Sequence, residues 1–148
     1  MAELRRVARN LMPEALLAFG LNQALQDLCA STQKAGPARV QLHTHGLETR
    51  LPQKLEVELY RLVQELLNNV LKHAQAQEVL VQLMRHGPEL HLVVEDDGRG
   101  FDPAVASTGV GLRSVQARAR YLGGTLEVQS APGQGTSFSL ELRVGEGE

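Results

Sequence analysis

The feature that most constrains this chain is a long amphipathic helical pattern that follows Pro52 and covers residues 53–75. Its apolar side chains recur at helical spacing, so they predict one broad buried face. That face consists of Leu55, Leu59, Leu62, Val63, Leu66, Val70 and Leu71. A helix of this kind is stable only when the apolar face packs against another element, so the pattern predicts a partner layer.

Five short segments supply that layer. Alternating or apolar runs bounded by turn residues predict strands at residues 40–45, 78–85, 89–95, 125–130 and 136–144. Further helices are predicted at residues 4–17, 22–34 and 111–121, the first of them interrupted near Pro13. Several antiparallel strands beside three helices predict a two-layer α/β sandwich.

Length and charge exclude several classes of protein. The chain has 148 residues, 43% of them hydrophobic and 22% charged, which fits one soluble globular domain and no disordered tail or coiled-coil rod. The net charge of −2 and the 3% aromatic content argue against nucleic acid as a partner. No apolar stretch is long enough for a membrane span, so we expect no membrane contact. A single cysteine, Cys29, cannot form an intrachain disulfide, and we expect a cytoplasmic location.

A polar stripe runs along the predicted long helix beside its apolar face. Glu65, Asn69, Lys72 and His73 lie at positions i, i+4, i+7 and i+8, so a helix places them on one side. Such a stripe can line the wall of a pocket. It can equally be a solvated face with ordinary pairs between helical side chains, and the helix alone does not separate these interpretations.

A second polar segment follows the strand predicted at residues 89–95. There the sequence DDGRGF covers residues 96–101, and we expect Gly98 and Gly100 to adopt positive φ and to allow close approach of a ligand. Asp96 ends the strand, and a buried carboxylate needs hydrogen-bond donors, which the exocyclic amine of a base can supply. A hairpin turn and a calcium loop are the alternatives, but Phe101 and the residues after it do not provide the later calcium ligands.

A third segment, GVGL at residues 109–112, opens a predicted helix with two glycines. Free backbone N–H groups at a helix N-terminus favour a phosphate. The segment is neither a Walker A loop nor a dinucleotide fingerprint.

Taken in order, these segments resemble one protein family. The sequence ELLNNVLKHA at residues 65–74 is similar to the N-box of bacterial sensor histidine kinases, and DDGRGF is similar to their first glycine box. GVGL resembles the second glycine box, and GQGT at residues 133–136 resembles the trailing G-x-G-T motif. The short spacing between the glycine boxes is similar to the nitrate-sensor and desaturase-sensor class. The resemblance implies the Bergerat-type ATP-binding fold of gyrase, heat-shock chaperone and mismatch-repair ATPases, with a mixed, mostly antiparallel sheet covered on one face by three helices.

The resemblance also implies how a nucleotide would bind. Asp96 would bind the adenine amino group, Gly100 would line the base pocket, and Thr136 would close it. Asn69 would offer an oxygen to Mg²⁺, and Glu65 would hold a water of the metal or orient the phosphates.

At the phosphate end, the resemblance assigns catalytic positions to Glu65, Lys72 and His73, the latter two as positive or donor groups. Backbone amides at Gly109 and Gly111 would meet the phosphates under a lid at residues 102–108. Gly98 and Leu112 complete the implied cofactor-binding set.

The five histidines mark a departure from the family, because none is followed by the acidic residue expected after a phosphoacceptor. The resemblance therefore implies a catalytic fragment of a protein-histidine kinase that does not autophosphorylate alone. Residues 1–20 would be a remnant of the dimerisation-domain helix and linker, residues 21–144 the ATP-binding domain, and residues 145–148 a flexible tail. The implied partners are ATP, a histidine-bearing dimerisation domain and a downstream response regulator, in a parent kinase that can itself be membrane-anchored.

Two other functions remain open from the sequence: an ATP-hydrolysing switch of the same superfamily, with Glu65 activating water, and a non-catalytic interaction module. His43 and His45 share one face of a predicted strand and could bind a metal, but an exposed strand explains them as well. Phe101 and Phe138 are expected in the core, and Cys29 is expected to be a small buried residue.

Overall fold

The computed structural model describes residues 14–102 and 110–145, and within them it forms one five-stranded sheet. The strands are β1 (Arg39–His45), β2 (Glu78–His86), β3 (Glu89–Asp96), β4 (Thr125–Ser130) and β5 (Thr136–Arg143). Their order across the sheet is β1-β2-β3-β5-β4. The β1–β2 pair is parallel and the other three pairs are antiparallel, so the expected mixed, mostly antiparallel sheet is confirmed.

Helices pack against this sheet. The α-helices are α1 (Glu14–Phe19), α2 (Leu21–Ala35), α3 (Gln53–Asn69) and α4 (Val110–Tyr121), and a π-helix (Val70–Ala74) directly continues α3. Along β2 and β3, buried residues alternate with more exposed ones, because successive strand side chains point to opposite faces. The buried set faces the helices and forms one core, with Leu59, Leu66, Val81, Leu92 and Leu140 at most 3% exposed.

Most predicted elements agree with the structure to within one or two residues, and the end of the long helix is the exception. An α-helix was expected as far as residue 75, but the α-helical pattern ends at Asn69 and a π-helix follows. The prediction that Leu71 is buried is wrong, because Leu71 is 37% exposed. The wider π turn rotates the side chains that follow it relative to a regular α-helix.

Several minor expectations can also be compared with the structure. Cys29 is buried, and desolvation raises the pKa of its thiol to about 11, so the interpretation as a packing residue is confirmed. His43 and His45 are exposed on β1, and the ring of His45 lies 4.8 Å from that of His86. No cluster of metal-ligating side chains occurs in residues 14–102 and 110–145. Within the same ranges, no helix is long and apolar enough to cross a membrane.

A pair of charged side chains, Arg50 and Glu56, holds α1 against the rest of the fold. The guanidinium of Arg50 donates to both carboxylate oxygens of Glu56, at 2.8 to 3.2 Å, and its Nη2 also donates to the backbone carbonyl of Leu16, at 3.4 Å. Glu56 is only 2% exposed, so its charge needs this partner. Leu16 is itself part of the core, and α1 is therefore held by both packing and hydrogen bonding. Of the helix expected at residues 4–17, the part up to residue 13 lies outside the described residues.

The turn between β4 and β5 closes against the end of β3. Gly135 has a φ of +73°, and a Cβ atom there would collide with the carbonyl oxygen of Asp96. Gly133, in the same turn, has a similar φ of +79°, but no atom lies within 4 Å of the position its Cβ would take. Both glycines thus adopt left-handed backbone, which glycine tolerates best. Only at Gly135 is there also no room for a side chain.

This difference gives a matched test of the packing. We expect Gly135→Ala to lower the free energy of unfolding by about 3 kcal/mol or more, because backbone strain and a steric clash add together. Gly133→Ala should lower it by only about 1 kcal/mol, since strain acts alone. Urea unfolding of both variants measures the difference, and equal losses would show that the turn does not press against Asp96.

Candidate functional site

A cavity of about 300 Å³ opens where the end of α3 and its π-helix meet the sheet. This is at the lower end of the range for small-molecule sites in proteins. Most of its wall is apolar, with a few polar groups among the lining residues. The residues that line it are Leu66, Asn69, Val70, His73, Ala74, Asp96, Arg99, Gly100, Phe101, Leu112, Thr136 and Phe138.

The π-helix determines which polar side chains face this cavity. Asn69, the last residue of α3, and His73, within the π-helix, both line it. Lys72 lies between them in sequence but lines a neighbouring cleft instead. The π-helix ends at Ala74, and the next residue, Gln75, has a left-handed φ of +53°, an unusual conformation for a residue other than glycine. The four polar residues of the predicted stripe are thus divided between two adjoining spaces.

The loop after β3 packs directly on the end of the π-helix. The amide of Arg99 donates to the carbonyl oxygen of Ala74 at 2.7 Å. A Cβ at Gly98 would collide with that same oxygen, so Gly98 is required for close packing. The expectation that Gly98 has a positive φ is wrong, while Gly100 does have one, at +63°. Gly98 is buried and is not among the residues that line the cavity.

Asp97 fixes the other side of this loop. One of its carboxylate oxygens, Oδ1, accepts hydrogen bonds from the backbone N–H groups of Gln77 at 2.8 Å and Glu78 at 2.9 Å. The two N–H donors, that of Glu78 first, lower the pKa of the Asp97 carboxyl, because they favour its charged form. Asp97 is therefore a structural anchor, and its neighbour Asp96 is the carboxylate that faces the cavity.

Asp96 is half-buried in the cavity wall. Desolvation raises the pKa of its carboxyl, and the backbone N–H of Gly98, which donates to Oδ1 at 2.8 Å, opposes that rise. The negative charge of Asp97 adds to the rise, and the backbone N–H of Thr136 opposes it. A carboxylate held by two backbone donors has capacity left for a further donor from a ligand.

The hairpin of β4 and β5 forms the opposite wall. Thr136 and Phe138 point into the cavity from β5, and Phe101 does so from the glycine loop. The two phenylalanines were expected in the core, but both are only partly buried and both line the cavity. Packing of Phe138 against the core and its position at the cavity are compatible, because the cavity is continuous with the apolar layer.

A more polar cleft of about 560 Å³ adjoins the cavity and shares Asn69 with it. Glu65, Lys72 and Arg118 are among the residues that line it. Arg118, on α4, donates from Nε to Glu65 at 3.0 Å and from Nη1 to Glu58 at 3.1 Å. Glu65 therefore shares its carboxylate with a cation that connects α3 to α4, a contact that the sequence pattern does not reveal.

The structure thus brings six of the predicted site residues to one cavity: Asn69, His73, Asp96, Gly100, Leu112 and Thr136. Glu65 and Lys72 lie in the adjoining cleft. Gly111 lies in the first turn of α4, and Gly109 lies outside the described residues. Arg118 and Ser130 were missed, although pairing of the predicted β4–β5 hairpin would have placed Ser130 opposite Thr136.

This arrangement suits a ligand with a flat, donor-bearing end and an anionic end. Apolar walls and the Asp96 carboxylate would receive the first, while Lys72 and the adjoining cleft would receive the second. The carboxamide of Asn69 lies at the junction and can provide one oxygen to a hard cation. Mg²⁺ fits such a place, because it takes few protein ligands and keeps oxygens of phosphate and water.

Comparisons with known proteins give the family. Residues 54–146 match the family model described as histidine kinase-, DNA gyrase B- and HSP90-like ATPase. The chain is 34% identical over 143 residues to the sensor histidine kinase ComP of Bacillus subtilis, covering 95% of this chain and 19% of that protein. It is 36% identical over 141 residues to the histidine-protein kinase/phosphatase UhpB of Salmonella typhimurium, covering 95% of this chain and 28% of that protein.

Solved structures agree on the fold. The blue-light activated histidine kinase of Erythrobacter litoralis superposes with a TM-score of 0.68 at 23% identity, over 99% of this chain and 51% of that chain. Its histidine kinase domain gives a TM-score of 0.65 at 26% identity, over 84% of this chain and 60% of that chain. The family model covers more than half of the sequence and includes α3 from its second residue onward, the glycine loop and the final hairpin. The chain therefore belongs to the family of histidine kinase-, DNA gyrase B- and HSP90-like ATPases.

Proposed function

We propose that this chain is the Mg·ATP-binding catalytic part of a two-component sensor histidine kinase, and that it donates the γ-phosphate to a histidine outside these residues. The observation that carries the proposal is the pairing of two spaces around Asn69: an apolar cavity with Asp96 in its wall and a polar cleft with Lys72. A base and a polyphosphate chain need these two environments side by side. The chain spans 19% of the length of ComP and 28% of the length of UhpB.

At the base end, Asp96 accepts a hydrogen bond from the exocyclic amine of adenine. Gly100 allows the loop to pass close to the hairpin, because its φ is positive and a Cβ would collide with the carbonyl oxygen of Ala131. Phe101 and Phe138 provide apolar contact for the ring, and Thr136 completes the polar end of the wall. Gly98 contributes by letting the loop reach Ala74.

At the phosphate end, Asn69 would hold Mg²⁺ through its carboxamide oxygen, and Glu65 would hold a water of the metal or orient the phosphates. When bound, Mg²⁺ neutralises charge on the phosphate oxygens. Lys72 and His73 stabilise the negative charge of the phosphates from α3 and the π-helix. The N-terminus of α4, with Gly111 and Leu112, would present its free backbone amides to the phosphates, and the proposal gives the same role to Gly109, which lies outside the described residues.

The transfer itself requires position more than covalent chemistry from the protein. Phosphoryl transfer proceeds when the acceptor lies in line with the γ-phosphate and the charge is neutralised. The acceptor histidine, the dimerisation domain that carries it and the response regulator that receives the phosphate lie outside this chain in the proposal. A cytoplasmic location is proposed with it, because ATP and response regulators are cytoplasmic.

A test of the base pocket uses Asp96→Ala. Guanine presents a carbonyl where adenine presents its amine, and an unpaired buried polar group costs about 1–3 kcal/mol, more if charged. We therefore expect wild-type protein to prefer ATP to GTP and Asp96→Ala to bind ATP at least about 10-fold more weakly. Isothermal titration calorimetry measures both. Glu95→Ala is the matched control, because this neighbouring carboxylate is exposed on the other face of β3. Equal binding of GTP and ATP by the wild type would exclude the assignment.

A second test concerns the metal. Asn69→Ala should weaken binding of Mg·ATP by about 10-fold or more and leave binding of adenosine almost unchanged, because only the former uses the carboxamide oxygen. Titrations of ATP with and without Mg²⁺ provide the comparison in one protein. Equal losses for Mg·ATP and adenosine would mean that Asn69 has a structural role only.

A third test separates a kinase fragment from a self-sufficient ATPase. The chain alone should neither become labelled by γ-labelled ATP nor hydrolyse it rapidly, because the proximity of a reacting partner, worth about 7–11 kcal/mol, is missing. Fusion of a dimerisation domain with an acceptor histidine ahead of Met1 should produce acid-labile phosphorylation. Rapid hydrolysis by the unfused chain would instead support the ATPase alternative.

A further inference from the structure

Ser130 connects three parts of the cavity wall through one hydroxyl group. Its Oγ accepts a hydrogen bond from the backbone N–H of Phe101 at 2.9 Å and donates to the carbonyl oxygen of Gly135 at 3.0 Å. It also lies 2.9 Å from Oγ1 of Thr136, directly across the β4–β5 ladder. Ser130 does not line the main cavity, but with Asp96 and Thr136 it lines a neighbouring cleft of about 450 Å³, so it acts on the main cavity through these partners.

The proton of this hydroxyl can be assigned by counting donors and acceptors. A serine hydroxyl has one proton to donate and two lone pairs. The Phe101 amide can only donate and occupies one lone pair, and the carbonyl of the buried Gly135 can only accept, so it receives the proton. The remaining lone pair of Ser130 must then receive the proton of Thr136.

This assignment decides what Thr136 offers to a ligand. Its hydroxyl proton is engaged with Ser130, so only its lone pairs are available toward the cavity that it lines. Asp96 lies opposite Thr136 in the β3–β5 ladder, and its carboxylate can also only accept when ionised. The polar end of the cavity therefore presents two acceptors and no side-chain donor from this pair.

We propose that Ser130 is a positioning residue that fixes Thr136 as a hydrogen-bond acceptor and thereby makes the cavity select purines with an exocyclic amine over purines with a carbonyl at that position. The proposal rests on the proposed function, because it presumes that the cavity holds the base of a nucleotide. It adds a specificity determinant that does not itself touch the base.

The test compares ATP with ITP, whose base has a carbonyl in place of the amine. In Ser130→Ala the hydroxyl of Thr136 is free to rotate and to donate into the cavity, so it can satisfy a carbonyl. We expect the preference for ATP over ITP to fall by about 5- to 10-fold, through weaker binding of ATP and unchanged or tighter binding of ITP. Calorimetric titration of the full chain gives both affinities.

Three single variants and one double variant make the result specific. Ser130→Thr retains the hydroxyl and should retain the preference, which a role in packing alone would not require. Ser139→Ala is the matched control, because Ser139 also lies in the sheet and bonds only to His91 among the contacts found in the described residues. Thr136→Val should lower the preference as Ser130→Ala does, and the double variant should lower it no further.

The outcomes separate the two proposals. A wild-type chain that binds no ATP would overturn the proposed function and this inference with it. Binding of ATP with a preference that Ser130→Ala leaves intact would overturn the inference alone. If Ser130→Ala does not fold, as judged by circular dichroism, Ser130→Cys decides, because a thiol is only a weak acceptor for the Thr136 proton: an unchanged preference in that variant overturns the inference, and a lowered preference supports it.

Discussion

The contact between the carbonyl oxygen of Ala74 and the backbone of the glycine loop is the constraint on which the rest of the site depends. The Arg99 amide donates to this oxygen, and Gly98 approaches it more closely than any residue with a side chain could. One consequence is that the end of the long helix and the end of β3 are fixed relative to each other. The wall with Asp96 and the wall with Asn69 therefore face one cavity, although 27 positions separate the two residues in the chain.

Charge pairs fix two of the other helices, α1 and α4. Arg118 bridges Glu58 and Glu65 and so holds α4 against α3, while Arg50 neutralises the buried Glu56 and holds α1. Arg118 thus connects α4 to α3, and Arg50 connects α1 to α3. A guanidinium suits this role because it is planar and has several N–H donors. The cleft beside the cavity is consequently lined by both signs of charge. Any change in the position of α4 must also change the surroundings of Glu65.

The parts that sequence could predict are those set by local rules. Strand alternation, helical spacing and turn residues were enough to predict nearly all helices and strands. The resemblance of the glycine boxes indicated which loop residues would lie at one site. The π-helix and the exposure of Leu71 could not be predicted from the sequence. The same side chains can form an α turn or a π turn, and contacts with the rest of the fold decide between the two. The partners of Glu65 and the role of Ser130 arise from pairings across the fold. Gly98 is required because the Ala74 carbonyl leaves no room for a Cβ atom, and its φ is not positive. The positions of glycines in a sequence do not distinguish a steric requirement from a conformational one.

The π-helix lets this end of the chain differ in length without moving the residues on either side of it. A π turn holds one more residue than an α turn would, so it behaves as a single-residue insertion that the fold has absorbed. Deleting one residue from Val70–Ala74 would restore regular α-helical bonding, and the glycine loop would keep its place. A chain with one residue fewer in this segment can therefore reach the same loop through a regular α-helix.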